Sequence, residues 1–101
     1  MAFAVMNVVR GTPEEVGLIV GEVQLLGLDE MYRRDGYRQS RLYVSEDGTE
    51  AIMVMEWDSR EQFLAYRQSP LGQRVVEKVL NWHPKISFYD VLVANEKPRG
   101  A

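Results

Sequence analysis

Two stretches of this chain are apolar at consecutive positions, so the strands they predict would be apolar on both faces. These are residues 3–9 (FAVMNVV), interrupted by Asn7, and residues 51–55 (AIMVM). Short runs rich in β-branched residues, without polar alternation, are typical of strands buried on two sides. A fold for this chain therefore has to cover both faces of these strands.

A helix is predicted to follow the first strand. Thr12 suits the N-cap, Pro13 suits the first helical position, and Glu15 completes a capping box. Apolar residues then recur at the helical spacing of positions 16, 19, 20, 23 and 26. Gly17 and Gly21 share one helix face, which predicts a closely packed neighbour there. Whether Gly27 ends or only bends this helix stays open.

A hairpin is predicted next. Residues 37–45 form a polar strand with Arg38 and Arg41, as expected at a sheet edge, and Asp47-Gly48 forms the turn. The third strand returns from residue 51, and its Glu56 is expected to pair with one of the two arginines across the hairpin.

The segment EWDSREQFLAYRQSP, residues 56–70, predicts a strand that ends at Trp57 and leads directly into a helix. Asp58 or Ser59 is expected to cap that helix, with Gln62 in the capping-box position for Ser59. Pro70 either breaks the helix or begins a second helical piece. Residues 71–80 continue the helical pattern, and residues 86–95 predict the last strand.

The predicted order is βαββαβ. It corresponds to an α+β, ferredoxin-like antiparallel sheet with two helical segments on one face, in which the first and third strands are central. Residues 1–95 are expected to form a single domain, and residues 96–101 a flexible tail. The simplest cover for the second apolar face is the same face of another subunit, which predicts a homodimer through the sheet.

Composition excludes several classes of function. The formal charge of −3 on 101 residues offers no basic surface for nucleic acid or an anionic membrane. The absence of cysteine excludes disulfides, thiolate metal sites and a cysteine nucleophile. No apolar run approaches the length of a membrane span, and no signal peptide is recognisable at the N-terminus, so we expect a cytoplasmic protein.

The sequence resembles the antibiotic biosynthesis monooxygenase family, which has the dimeric α+β barrel fold. The resemblance runs over about residues 2–94 and is carried by Glu56, Trp57, Ser59, Phe63 and Ser69-Pro70. Two further dipeptides also fit the family pattern: Gly36-Tyr37 and Tyr89-Asp90. The resemblance implies a monooxygenase that needs neither metal nor other cofactor. Such an enzyme would act with O₂ on an electron-rich aromatic, quinol or polyketide-like small molecule.

Four residues are candidates for the site. Asn7, a lone amide in an apolar strand, and Tyr66 are predicted to be catalytic by binding substrate oxygens. Trp57 and Phe63 are predicted to contact the substrate, with Tyr66 three residues beyond Phe63 on one helix face. The alternative for each is structural: backbone or water satisfies Asn7, and the aromatic residues pack in the core.

Two other functions stay open. One is a non-catalytic, dimeric protein of the same fold that binds a small ligand or acts in stress. The other is haem degradation, implied by the related branch of the superfamily. That branch places an iron-coordinating histidine on the second helical segment, whereas residues 71–80 contain none and the single histidine, His83, falls in a predicted loop.

Overall fold

The computed structural model describes residues 1–26 and 28–98. Its strands and helices are β1 Phe3–Arg10, α1 Pro13–Gln24, β2 Tyr37–Val44, β3 Glu50–Trp57, α2 Arg60–Gln68, α3 Pro70–Leu80 and β4 Lys85–Asp90. A 3₁₀ segment, Leu28–Arg33, lies between α1 and β2. The possible helix end at Gly27 and the last residues of the predicted tail, 99–101, lie outside the described residues.

The four strands form one antiparallel sheet in the order β2-β3-β1-β4. The α+β ferredoxin-like prediction is therefore confirmed, with β1 and β3 central and the more polar β2 and β4 at the edges. The register places Asn7 opposite Met53 on β3 and opposite Ile86 on β4. Asn7 thus lies in the middle of the sheet.

One face of the sheet, which we call the inner face, carries the core. Phe3, Val5 and Val9 of β1 are buried there together with helical residues. Trp57 lies in the larger of two core clusters, and Val16 of α1 in the smaller. Because side chains alternate along a strand, Asn7 points to this same face, between the buried Val5 and Val9. The polar residue therefore lies where the two clusters meet.

The opposite face, which we call the outer face, carries the alternate residues of the central strands. Ala4, Met6, Val8, Ile52 and Val54 are half-buried and belong to neither core cluster. Both central strands are thus apolar on two sides, as predicted. The helical core residues of this chain pack on the inner side only. The homodimer that would cover the outer face stays a prediction.

The predicted caps are largely confirmed. The Thr12 hydroxyl accepts a hydrogen bond from the Glu15 backbone N–H at 3.2 Å, and the Glu15 carboxylate accepts one from the Thr12 N–H at 3.0 Å. Ser59 caps α2 by accepting from the Gln62 N–H at 3.3 Å. Pro70 begins a separate helix, α3, so the second helical segment consists of two helices.

Three local predictions are wrong. The last strand ends at Asp90 rather than at residue 95. Among the described residues, no atom of a neighbouring element lies within 4 Å of a Cβ built on Gly17 or Gly21, so none of them packs closely there. Glu56 accepts a hydrogen bond from the Gln39 side-chain amide at 3.1 Å, and Arg38 instead pairs with Asp58 at 2.6 Å. A bulge between residues 37 and 39 of β2 shifts the pairing and accounts for this exchange of partners.

No helix within the described residues has both the length and the apolarity to cross a membrane.

Candidate active site

A cavity of about 380 Å³ lies between the inner face of the sheet and the helices. Its lining is mostly apolar, and its size is in the range of sites that bind small organic molecules. The sheet contributes Val5, Asn7, Ser40, Arg41, Leu42, Met53, Val54, Met55, Ile86 and Phe88. The helices contribute Phe63, Tyr66, Arg67, Val75, Val76, Val79 and Leu80, and the α1 side contributes Val23 and Leu26.

Asn7 forms part of the sheet wall of this cavity. Its side chain is half-buried and makes no hydrogen bond to another of the described residues. Its neighbours across the sheet, Met53 and Ile86, offer an amide no strong hydrogen-bonding group. The side chain is therefore free to donate and accept hydrogen bonds to a molecule in the cavity.

Tyr66 reaches the cavity from the α2 side. The residue is 3% exposed, and its buried hydroxyl has no hydrogen-bond partner among the described residues. Burial raises the pKa of Tyr66 to about 12, although the positive charge of Arg34 acts in the opposite direction. The hydroxyl is thus protonated throughout the neutral range and can donate a hydrogen bond to a ligand oxygen.

Phe63 lies one turn before Tyr66 on α2 and also lines the cavity. Its ring centroid lies 5.8 Å from that of Phe88 on β4 and 5.6 Å from that of Phe3 on β1. These distances are typical of packed aromatic pairs. Phe63 and Phe88 therefore give the cavity an aromatic wall suited to a flat ring.

Trp57 lies one layer behind that wall. It is fully buried at the end of β3, outside the residues that line the cavity, and its ring centroid is 5.1 Å from that of Tyr66. Its indole N–H has no hydrogen-bond partner among the described residues. Trp57, at the point where β3 leads into α2, thus packs against the Tyr66 ring. Direct contact of Trp57 with a ligand stays a prediction.

The structure brings three of the four predicted residues, Asn7, Tyr66 and Phe63, to one cavity. It also adds three polar residues that the sequence interpretation did not select for the site: Ser40, Arg41 and Arg67. Ser40 lines the cavity from β2, and its hydroxyl accepts a hydrogen bond from the Tyr37 hydroxyl at 2.8 Å. Arg67 lines it from α2, and its position four residues after Phe63 could have indicated a shared face.

His83 lies apart from this site. It is exposed, follows α3, and has a φ of 50°, in the left-handed region. It is not among the residues that line the cavity. The cavity as described therefore has no histidine to serve as an axial ligand, so haem degradation gains no support from its lining.

Comparison with known proteins decides the family. Residues 2–78 match the model of the family described as antibiotic biosynthesis monooxygenase. This chain belongs to that family. The match covers the elements from β1 to nearly the end of α3, which include Asn7 and the whole of α2. No match to a curated protein was found.

Solved structures of other proteins share the fold of this family member. Rv0793 from Mycobacterium tuberculosis superposes with a TM-score of 0.77 at 19% identity, over 95% of this chain and 100% of that one. The monooxygenase from the gene ActVA-Orf6 of Streptomyces coelicolor was solved with the ligand nanaomycin D. It superposes with a TM-score of 0.74 at 19% identity, over 96% of this chain and 92% of that one. SnoaB from Streptomyces nogalater, a cofactor-independent oxygenase, superposes with a TM-score of 0.66 at 11% identity, over 95% of this chain and 97% of that one.

Proposed function

We propose that this protein is a cofactor-independent monooxygenase that oxidises an electron-rich aromatic, quinol or polyketide-like small molecule with O₂. The observation that carries the proposal is the apolar cavity lined by both Asn7, whose amide has no partner among the described residues, and Tyr66, whose buried hydroxyl has none either. Family membership supports it, as do two structural neighbours that are themselves described as a monooxygenase and a cofactor-independent oxygenase.

The proposed chemistry draws its electrons from the substrate. A phenolic or quinol substrate loses a proton, and its electron-rich anion reacts with O₂. For an anthrone-like substrate the ring methylene becomes a carbonyl: one oxygen atom enters the product, and the other leaves as water with the two hydrogen atoms of the methylene. The substrate thus supplies all four electrons that O₂ accepts.

The protein contributes orientation and electrostatics to this reaction. The aromatic wall of Phe63 and Phe88 holds the ring, and Asn7 and Tyr66 donate hydrogen bonds to its developing oxyanion. The apolar lining strengthens those hydrogen bonds because it excludes water. In this arrangement Trp57 positions Tyr66 through the packing of their rings.

Oxygen uptake tests the proposal. Metal-stripped protein is incubated with a panel of hydroquinones and anthrone-like phenols, beside the Asn7→Ala variant. We expect uptake above the buffer rate by the wild type, and a loss of about tenfold or more in the variant, as for the removal of one oxyanion donor. Uptake that persists unchanged in Asn7→Ala would contradict the role of Asn7, and no uptake on any substrate would favour a ligand-binding protein.

We also propose that the protein is a homodimer joined through the outer face. Met6, Ile52 and Val54 lie there beside Tyr43 and Tyr89, which are each 49% exposed. An apolar sheet face of this kind is typical of a self-complementary interface. The dimer leaves the inner face and its cavity within each subunit.

A further inference from the structure

The charged residues that border the cavity are of one sign. Among the described residues they are Arg41 and Arg67, and no carboxylate lines it. This differs from the chain as a whole, in which 15 acidic residues exceed 12 basic ones. The cavity is therefore apolar, with no bordering carboxylate among the described residues, in a protein of net negative charge.

Arg67 is the arginine on the helix side of this border. It lies in the last turn of α2, four residues after Phe63 and next to Tyr66, so the helix turns it toward the same cavity. It lines the cavity and is exposed, as expected for a residue at a mouth open to solvent. Arg41, in contrast, alternates with Leu42 on β2 and pairs across the sheet with Val54, on the outer face.

The guanidinium of Arg67 is free to take a ligand. Within the described residues it has no carboxylate within 4.0 Å, whereas Arg10, Arg38 and Arg74 each have an acidic partner. A guanidinium presents a planar set of donors that matches the two oxygens of a carboxylate. An apolar cavity with such a group at its mouth fits a molecule with an aromatic body and one anionic group.

We propose that Arg67 binds an anionic group of the substrate other than the reacting oxygen, and hence that the substrate is an aromatic molecule carrying a carboxylate. The substrate role rests on the oxygenase function proposed above, but the binding of an aromatic anion does not. Arg67 acts as a specificity-determining residue: it selects charged aromatic molecules over neutral ones of the same shape.

Two fluorescent probes of similar shape test this selection. Anilinonaphthalene sulfonate has an aromatic body with one anionic group, and N-phenylnaphthylamine is its neutral counterpart. We expect R67Q to weaken the binding of the sulfonate probe roughly tenfold, because one charge-assisted contact is lost. The affinity for the neutral probe should change less than about twofold. The control R60Q removes an exposed arginine from the first turn of the same helix and is expected to change neither probe.

A second variant establishes where the probes bind. V76F narrows the cavity from α3, at a half-buried lining position, and is expected to weaken both probes together. The proposal is overturned if R67Q leaves the affinity for the sulfonate probe unchanged, or if it lowers the affinity for both probes equally. It is also overturned if V76F changes the affinity for neither probe. Because binding is measured without turnover, a selective effect of R67Q together with absent oxygen uptake would reject the oxygenase and retain the anion site.

Discussion

Asn7, Tyr66 and Trp57 each carry a polar side-chain group that no described residue satisfies with a hydrogen bond. A buried polar group without a partner destabilises a protein by about 1–3 kcal/mol, so such groups are rare and call for an explanation. For the buried hydroxyl of Tyr66 the cavity that it shares with the half-buried Asn7 suggests one, because a bound molecule with oxygen atoms would offer a partner to both. For Trp57 the aromatic packing around its ring is the stabilising contribution.

The raised pKa of Tyr66 predicts a pH effect on stability. Below pH 10 the hydroxyl is protonated in both the folded and the unfolded chain, and above that value the unfolded chain ionises first, because burial raises the folded pKa to about 12. The free energy of unfolding should therefore fall as pH rises through this window, by about 2–3 kcal/mol in all. Y66F should lack this part of the loss.

Urea unfolding of the wild type and Y66F, at about pH 8 and about pH 12, measures the difference. The other tyrosines occur in both proteins, so their ionisation cancels from the comparison. An equal fall in both proteins would show that the Tyr66 hydroxyl is not buried as the structure places it.

At the scale of elements, the joint between α2 and α3 positions the helix side of the site. Ser69 ends α2 and begins α3: its hydroxyl donates to the Tyr66 carbonyl at 2.5 Å and accepts from the Gly72 N–H at 3.1 Å. A Cβ built on Gly72 would lie 1.9 Å from the Tyr66 carbonyl oxygen. The two helices therefore meet so closely at Tyr66 that only a glycine fits, and this contact orients the end of α2 that carries Tyr66 and Arg67.

Two glycine-to-alanine substitutions are predicted to have opposite signs. G72A should destabilise the fold by about 2 kcal/mol or more, because backbone rather than a flexible side chain has to move. G17A, in the exposed middle of α1 with no atom within 4 Å, should stabilise it by about 0.5–1 kcal/mol through helix propensity.

Thermal or urea unfolding measures both changes, with G17A as the matched control for the substitution. If G72A changed the free energy of unfolding as little as G17A, the inference of a tight contact between α2 and α3 would be wrong. The orientation of Tyr66 would then need a physical cause other than the close contact of these two helices.

At the scale of the whole molecule, the sheet separates two surfaces with different proposed roles. The inner face and the helices enclose the cavity, and the outer face offers a second apolar surface. A domain of about 100 residues buries only about two-thirds of the surface its unfolded chain exposes, so a dimer through the outer face would add to its stability. The two surfaces can therefore be tested separately.

The M6K substitution places a charge in the centre of the outer face, where Met6 lies opposite Val54 and Ser87. We expect it to weaken dimerisation at least tenfold, because burying an unpaired ammonium is costly. The control L18K introduces the same charge at a 68% exposed position of α1 and should leave the dimer intact. Analytical ultracentrifugation measures both, and a wild type that is monomeric at micromolar concentration would reject the dimer.

Most of the fold could be predicted from the sequence because its signals are local. The capping box at Thr12, the helix restart at Pro70 and the apolar runs of β1 and β3 each depend on a few neighbouring residues. The errors concern partners from other elements. Gly17 and Gly21 share a face but meet no neighbour, while the tight contact is at Gly72, and the β2 bulge changes the partner of Glu56.

The sequence by itself determined the order of the elements, the central place of β1 and β3, the family and the choice of Asn7, Tyr66 and Phe63 as candidates. Only the tertiary structure decided that these three line one cavity, that Trp57 lies behind it, and that Arg67 borders its mouth. The physical reason is that caps and strand patterns arise from residues close in the chain. A cavity arises from the space left between a sheet and helices that are far apart in sequence.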